Sequence, residues 1–176
     1  MAVQAKCRIA RLRFHTPYTV VGVDPGLQAT GVALLEGGFA KLWTLRSGYV
    51  KTVGLGQRVL EMAAKLPPLE GVDSLVIEHM KVYIQRKQEG DPNDLVNLAV
   101  VEGVMLATIS AKSYYLPTPA EWNRGVIKRV RHQRLRSNVI EEPDGRVSEH
   151  AMDALGLAVY GLERVKWLHQ QKTHGP

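Results

Sequence analysis

Three acids stand where apolar runs end or begin: Asp24 after Val20-Val21-Gly22-Val23, Glu78 after Ser74-Leu75-Val76-Ile77, and Asp153 within His150-Ala151-Met152-Asp153-Ala154-Leu155. His150 precedes Asp153 by three residues, a spacing that puts both on one face of a helix. Each has an ordinary explanation when taken alone. Asp24-Pro25-Gly26 suits a turn, Glu78 suits a salt bridge, and an acid in a helix's first turns favours the macrodipole. A lone histidine there is commonly a cap or a surface residue. Together they gain another meaning. If the strands ending in Asp24 and Glu78 are neighbours and the last helix crosses them, the carboxylates converge. Converging carboxylates repel each other unless a divalent cation lies between them. Hard oxygen donors favour Mg²⁺ or Mn²⁺, and an imidazole is better tolerated by Mn²⁺. Two such ions about 4 Å apart clamp the attacking and leaving oxygens of a phosphodiester.

The cations point the same way. Between 124 and 136 the chain holds Arg124, Lys128, Arg129, Arg131, Arg134 and Arg136, with His132 among them and no acid. Lys81, Arg86 and Lys87 form a second patch, with Tyr83 interleaved for stacking on a base. A carboxylate site repels nucleic acid, so a nuclease needs cations around it, and each phosphate they neutralise steepens the salt dependence of binding. The candidate DNA contacts are therefore Lys81, Tyr83, Arg86, Lys87, Arg124, Lys128, Arg131 and Arg134. A solvated basic helix face is the ordinary alternative.

Composition sets outer bounds. The 23 Lys and Arg against 17 Asp and Glu leave +6, a moderate pull toward an anionic partner. With 45% hydrophobic and 23% charged residues, disordered and fibrous classes are excluded. Cys7 is the sole cysteine, which excludes a disulfide framework and a multi-thiolate metal site. No run approaches the roughly 18 apolar residues of a membrane span, and a cytoplasmic protein is expected.

The elements that must position these residues follow from periodicity. Residues 1–19, basic and without acids, are expected to be an N-terminal extension outside a single domain at 20–170. Runs at 20–23, 31–35 and 41–45, separated by Gly-containing turns, predict three strands in an antiparallel meander. A helix is expected over 55–66, ended by Pro67-Pro68, then a buried strand at 74–77. Asp94 caps a helix to about 111 that is apolar on most sides and needs cover on two. A strand at 114–116, a basic helical stretch at 120–138 and a closing helix at 148–170 complete an α/β sandwich with a mixed sheet of five strands.

Val21-Gly22-Val23-Asp24-Pro25-Gly26 with Thr30-Gly31-Val32-Ala33, then Val76-Ile77-Glu78, then His150 through Ala158, resemble in order and spacing the catalytic segments of RuvC-type Holliday junction resolvases. The histidine at 150 resembles the subgroup in which it replaces the first of two aspartates. Gly90-Asp91-Pro92-Asn93-Asp94-Leu95 and Pro119-Ala120-Glu121-Trp122, followed by Lys128, are closer to phage-encoded members. The resemblance spans about 20–162. It implies an RNase H-like fold, a homodimer covering the second face of the 94–111 helix, and a crossover junction endodeoxyribonuclease that nicks four-way DNA junctions symmetrically. It further implies that Asp24, Glu78, His150 and Asp153 hold two Mg²⁺ ions, with Mn²⁺ able to substitute, and that Tyr83 takes the place of the family's base-stacking aromatic. The chain departs from the family after Trp122, where related phage proteins have a Lys-Gly pair and a proline before the lysine. Two alternatives remain open: another nuclease of the same fold, acting on forks, flaps or RNA–DNA hybrids, and an inactive junction-binding protein. An actin-like ATP-binding arrangement would need two such domains, and the chain is too short.

Overall fold

Two neighbouring strands with matched side-chain parity place the acids. The structure is a computed structural model that describes residues 4–47, 54–79, 92–141, 143 and 145–173. The elements run β1 (Arg8–Asp24), β2 (Ala29–Arg46), α1 (Leu55–Ala63), β3 (Val72–Ile77), α2 (Pro92–Thr108), β4 (Ala111–Tyr115), α3 (Pro119–Asn123), α4 (Lys128–Ser137), β5 (Val139–Glu141) and α5 (Glu149–Thr173). The sheet is mixed and five-stranded, ordered β2-β1-β3-β4, with β5 pairing β1 beside that path. β1 pairs antiparallel with β2 and β5 and parallel with β3, and β4 continues the parallel set.

Side chains alternate across a strand, so parity sorts residues between two cores. Val20 of β1 and Val76 of β3 face α5, in a core with Ala154, Leu155, Leu157 and Ala158. Val21, Val23, Leu75 and Ile77 face the other way, against Val59 and Met62 of α1 and Val101 and Met105 of α2. The result is three layers, with α3, α4 and α5 on one face of the sheet and α1 and α2 on the other. Asp24 continues the parity of Val20 on the α5 side, and Glu78 continues that of Val76.

The backbone of α5 lies almost on the sheet. A Cβ on Gly22 would stand 2.1 Å from the Ala154 carbonyl oxygen, and one on Gly31 would stand 2.0 Å from that of His150. Only hydrogen fits at either position. Real Cβ atoms do not approach that closely, so these two glycines set the distance between helix and strands. At its N-terminus α5 is tied down by Ser148, whose Oγ accepts from the Ala151 amide at 3.1 Å and lies 2.6 Å from Thr44 Oγ1 of β2.

The strand composition differs from the sequence expectation in three places. The runs at 31–35 and 41–45 are one strand, β2, and Gly37-Gly38 is no reversal. Gly37, at φ 59°, pairs with Thr16 where the register shifts, so the extra residues form an irregularity within a bent two-stranded ribbon. The supposed extension supplies residues 8–19 of β1, with Ala10 and Leu12 buried under α5. A fifth strand, β5, takes the place in the count left by the merged pair. The basic stretch is also two helices rather than one. Arg124 adopts the left-handed region at φ 50° and ends α3, and α4 starts afresh at Lys128.

α2 shows the two-sided character its composition demands. Val101 and Met105 are fully buried on the sheet side. On another side Val96 and Val100 are 65% and 37% exposed. Among the described residues, no helix is long and apolar enough to cross a membrane.

Candidate active site

Asp24 and Glu78 are neighbours because their strands are. The parallel register pairs Gly22 with Val76 and Val23 with Ile77, so the next residue on each strand is an acid on the α5 side. The Glu78 amide donates to the Val23 carbonyl at 3.1 Å, which carries the pairing one step past the end of β3. Asp24 is only 7% exposed. His150, in the first turn of α5, brings Nδ1 to 2.6 Å from Asp24 Oδ2. That contact raises the imidazole's pKa, because the carboxylate accepts from its charged form, and burial opposes the rise.

Glu78 carries the strongest electrostatic signature. Burial pushes its carboxyl up to about 7; a hydrogen bond from Trp122 works against the rise, while Asp24 and Asp153 add to it. Burial first, and the neighbouring acids second, thereby favour a proton on Glu78 near neutrality. Exchanging that proton for a divalent cation would relieve the same repulsion. The donor set, carboxylate oxygens with one imidazole, therefore fits a hard cation.

Asp153 is placed differently. It is 6% exposed and meets two cations and an imidazole of α4 instead of the other acids. Lys128 Nζ lies 2.9 Å from Oδ2, Arg131 Nη2 donates to Oδ1 at 2.5 Å, and His132 Nε2 lies 2.8 Å from the same oxygen. Burial favours protonation of this carboxyl, but the Lys128, Arg131 and His132 contacts outweigh it and hold its pKa below the ordinary range. Lys128 also reaches Glu149 at 3.1 Å; burial works to lower its pKa, and the two carboxylates raise it in spite of that. The expected four-residue set is thus gathered at one end of the sheet but not closed. Among the described residues, no three His, Cys, Asp or Glu side chains are grouped so as to hold a metal ion.

Of the expected DNA contacts, Lys128 is the half-exposed partner of Asp153 and Glu149 described above, and the other seven divide into three groups. Lys81, Tyr83, Arg86 and Lys87 lie outside the described residues. Arg124 and Arg134 are exposed, and the 3.3 Å ion pair of Arg124 with Glu163 is open to water, so it holds Arg124 only weakly. Arg131, also expected to contact DNA, turns inward. Its side chain is 15% exposed, pairs with Asp153, and lies 4.2 Å above the Trp122 ring. It is committed to the protein interior.

Several site residues escaped sequence reasoning. Trp122 donates its indole N–H to Glu78 Oε1 at 2.9 Å. His132 lies on one helix face with the expected Lys128, four residues away, but its acidic partner 21 residues further on left no trace in local sequence. His79, next to Glu78, lies 3.1 Å from buried Glu102 of α2 and ties that helix to the sheet end.

Comparison with known proteins bears on this arrangement. No family model matches the chain. A curated relative, the crossover junction endodeoxyribonuclease RuvC of Neorickettsia sennetsu, is 31% identical over 108 residues, or 56% of this chain and 60% of the relative. The matched stretch thus spans under two thirds of that relative's length. Thermus thermophilus RuvC, solved in complex with a Holliday junction substrate, superposes with a TM-score of 0.57 at 17% identity, covering 84% of this chain and 96% of that one. A second Thermus thermophilus RuvC structure gives 0.56 at 18% identity, covering 85% and 96%. The fold is therefore that of RuvC, an RNase H-like α/β fold.

Proposed function

We propose that this chain is a RuvC-type crossover junction endodeoxyribonuclease, a metal-dependent enzyme that nicks four-way DNA junctions symmetrically. The observation that carries the reading is the adjacency of Asp24 and Glu78 on parallel strands, with His150 on Asp24 and the Glu78 carboxyl raised to about 7. Asp24, Glu78, His150 and Asp153 would hold the cations, two Mg²⁺ ions with Mn²⁺ able to substitute. Bound there, the metal would supply an activated water and neutralise the departing 3′ oxygen. With Nδ1 engaged by Asp24, His150 has Nε2 left to ligate a metal or accept a proton. The exposed cations of α4 and the preceding turn would draw in the phosphate backbone, and junction shape would supply most of the selectivity.

The same reading makes the protein a homodimer in the cytosol of a bacterium or of its phage-infected host. The exposed Val96 and Val100 of α2 support pairing through that helix. Two active sites facing one junction would account for paired nicks.

The deciding experiment offers synthetic four-way, fork, flap and RNA–DNA hybrid substrates in Mg²⁺ and in Mn²⁺. Paired symmetric nicks on the four-way junction are expected. Preference for another substrate would move the protein to a different nuclease class, and binding without nicking in either metal would make it a junction-binding protein. His150→Asp is expected to keep activity within about a hundredfold, because the carboxylate restores an oxygen donor at the same helix position. A folded variant with no activity would show that the imidazole itself is required.

A further inference from the structure

Trp122 belongs to α3, a single turn whose start is fixed by Pro119 and by the Glu121 carboxylate, which accepts from the Thr118 amide at 2.7 Å. Its ring is 7% exposed and packs among the α5-side core residues. A buried indole N–H usually finds some acceptor, so burial alone assigns it no role. Its two neighbours do. The ring edge donates to Glu78 Oε1 at 2.9 Å, and the ring face carries the Arg131 guanidinium at 4.2 Å. That guanidinium in turn donates to Asp153 Oδ1 at 2.5 Å. One side chain therefore touches an acid from the sheet and, through a single cation, an acid from the last helix. The ring also has a seat cut for it: a Cβ on Gly156 of α5 would stand 2.8 Å from Trp122 Cζ3.

We propose that Trp122 is a positioning residue for the acid site, its indole N–H fixing the Glu78 carboxylate while its face holds Arg131 on Asp153. The proposal rests on the metal-dependent reading above. It deepens that reading by naming the side chain that sets how far apart two of the acids stand before a metal arrives. Groups that orient metal-holding carboxylates typically change metal affinity 10–100-fold when removed. Trp122→Phe keeps a buried aromatic ring, and with it the surface on which Arg131 lies, but removes the donor.

The test uses the full-length protein and needs no cleavage. Calorimetric titration with Mg²⁺ without DNA is expected to show about tenfold or greater weakening in Trp122→Phe, with a melting temperature within a few degrees of the unaltered protein. In single-turnover cleavage the rate constant should fall while the junction concentration giving half-maximal rate stays put. A core role alone would lower the melting temperature and leave metal affinity unchanged. The chain has three tryptophans, so ¹⁵N-indole spectra of Trp43→Phe and Trp167→Phe identify the Trp122 signal without altering its residue. That signal should move in Glu78→Gln and on adding Mg²⁺. Unchanged affinity in Trp122→Phe, or a Trp122 signal indifferent to both changes, overturns the proposal alone. Failure of the unaltered protein to bind Mg²⁺ or Mn²⁺ overturns the metal-site reading and the proposal with it.

Discussion

Asp24→Asn is expected to abolish junction nicking while junction binding stays within about twofold. The substitution is close to isosteric at a 7% exposed strand end, so the fold has little to repack. What it removes is charge, at the point where Glu78 adjoins and His150 approaches to 2.6 Å. Under the proposed metal-dependent reading, loss of one carboxylate from the set would forfeit several kcal/mol of transition-state stabilisation. A figure of about 4 kcal/mol corresponds to roughly a thousandfold in rate. Glu78→Gln should behave alike. Single-turnover cleavage in Mg²⁺, beside gel-shift binding in Ca²⁺, separates the two effects. Nicking within tenfold of the unaltered rate in either variant would remove these residues from the reaction.

A second large effect is expected at a residue that has no side chain of its own. Gly31→Ala should destabilise the fold by about 3 kcal/mol, the upper end for overpacking, because the added methyl would meet backbone rather than a side chain that can swing away. For a domain of this size that corresponds to a fall of about 6–12 °C in melting temperature. Gly22→Ala meets the Ala154 carbonyl in the same way. Any variant that still folds must lift α5, and with it His150 away from Asp24, so activity should drop more than binding. Gly56→Ala is the control, since nothing lies within 4 Å of its added carbon. Equal melting temperatures for Gly31→Ala and Gly56→Ala would show that the helix yields readily.

The convergence of Asp24, Glu78 and His150 was legible because it follows from strand parity and parallel pairing, both of which leave a trace in the order of apolar residues. The first strand was misjudged for a physical reason. Arg8, Arg11 and Arg13 read as a solvated extension, yet Ala10 and Leu12 alternate with Arg11 and Arg13 and are buried, so the period of two was present under the charge. Gly37-Gly38 has the composition of a hairpin turn, and local sequence does not distinguish a reversal from an irregularity in a continuing strand. The engagement of Asp153 was out of reach for another reason. Periodicity puts an acid on a helix face, but the cations that meet it arrive on α4, whose angle depends on the left-handed break at Arg124.

β1 is the hub of this architecture, and the order in which its partners are synthesised has a consequence in time. β2 follows at once, β3 much later, and β5 and α5 only near the end of the chain. Until then Val20, Ala33, Leu35 and Val76 face a layer that does not yet exist. Such non-local closure slows folding and leaves apolar surface open to other chains during synthesis. Asp24 and Glu78 can pair as soon as β3 docks, but His150 and Asp153 arrive with the last helix. A partly made chain therefore carries two of the four candidate site residues without the other two beside them. The candidate site comes together in the step that closes the core.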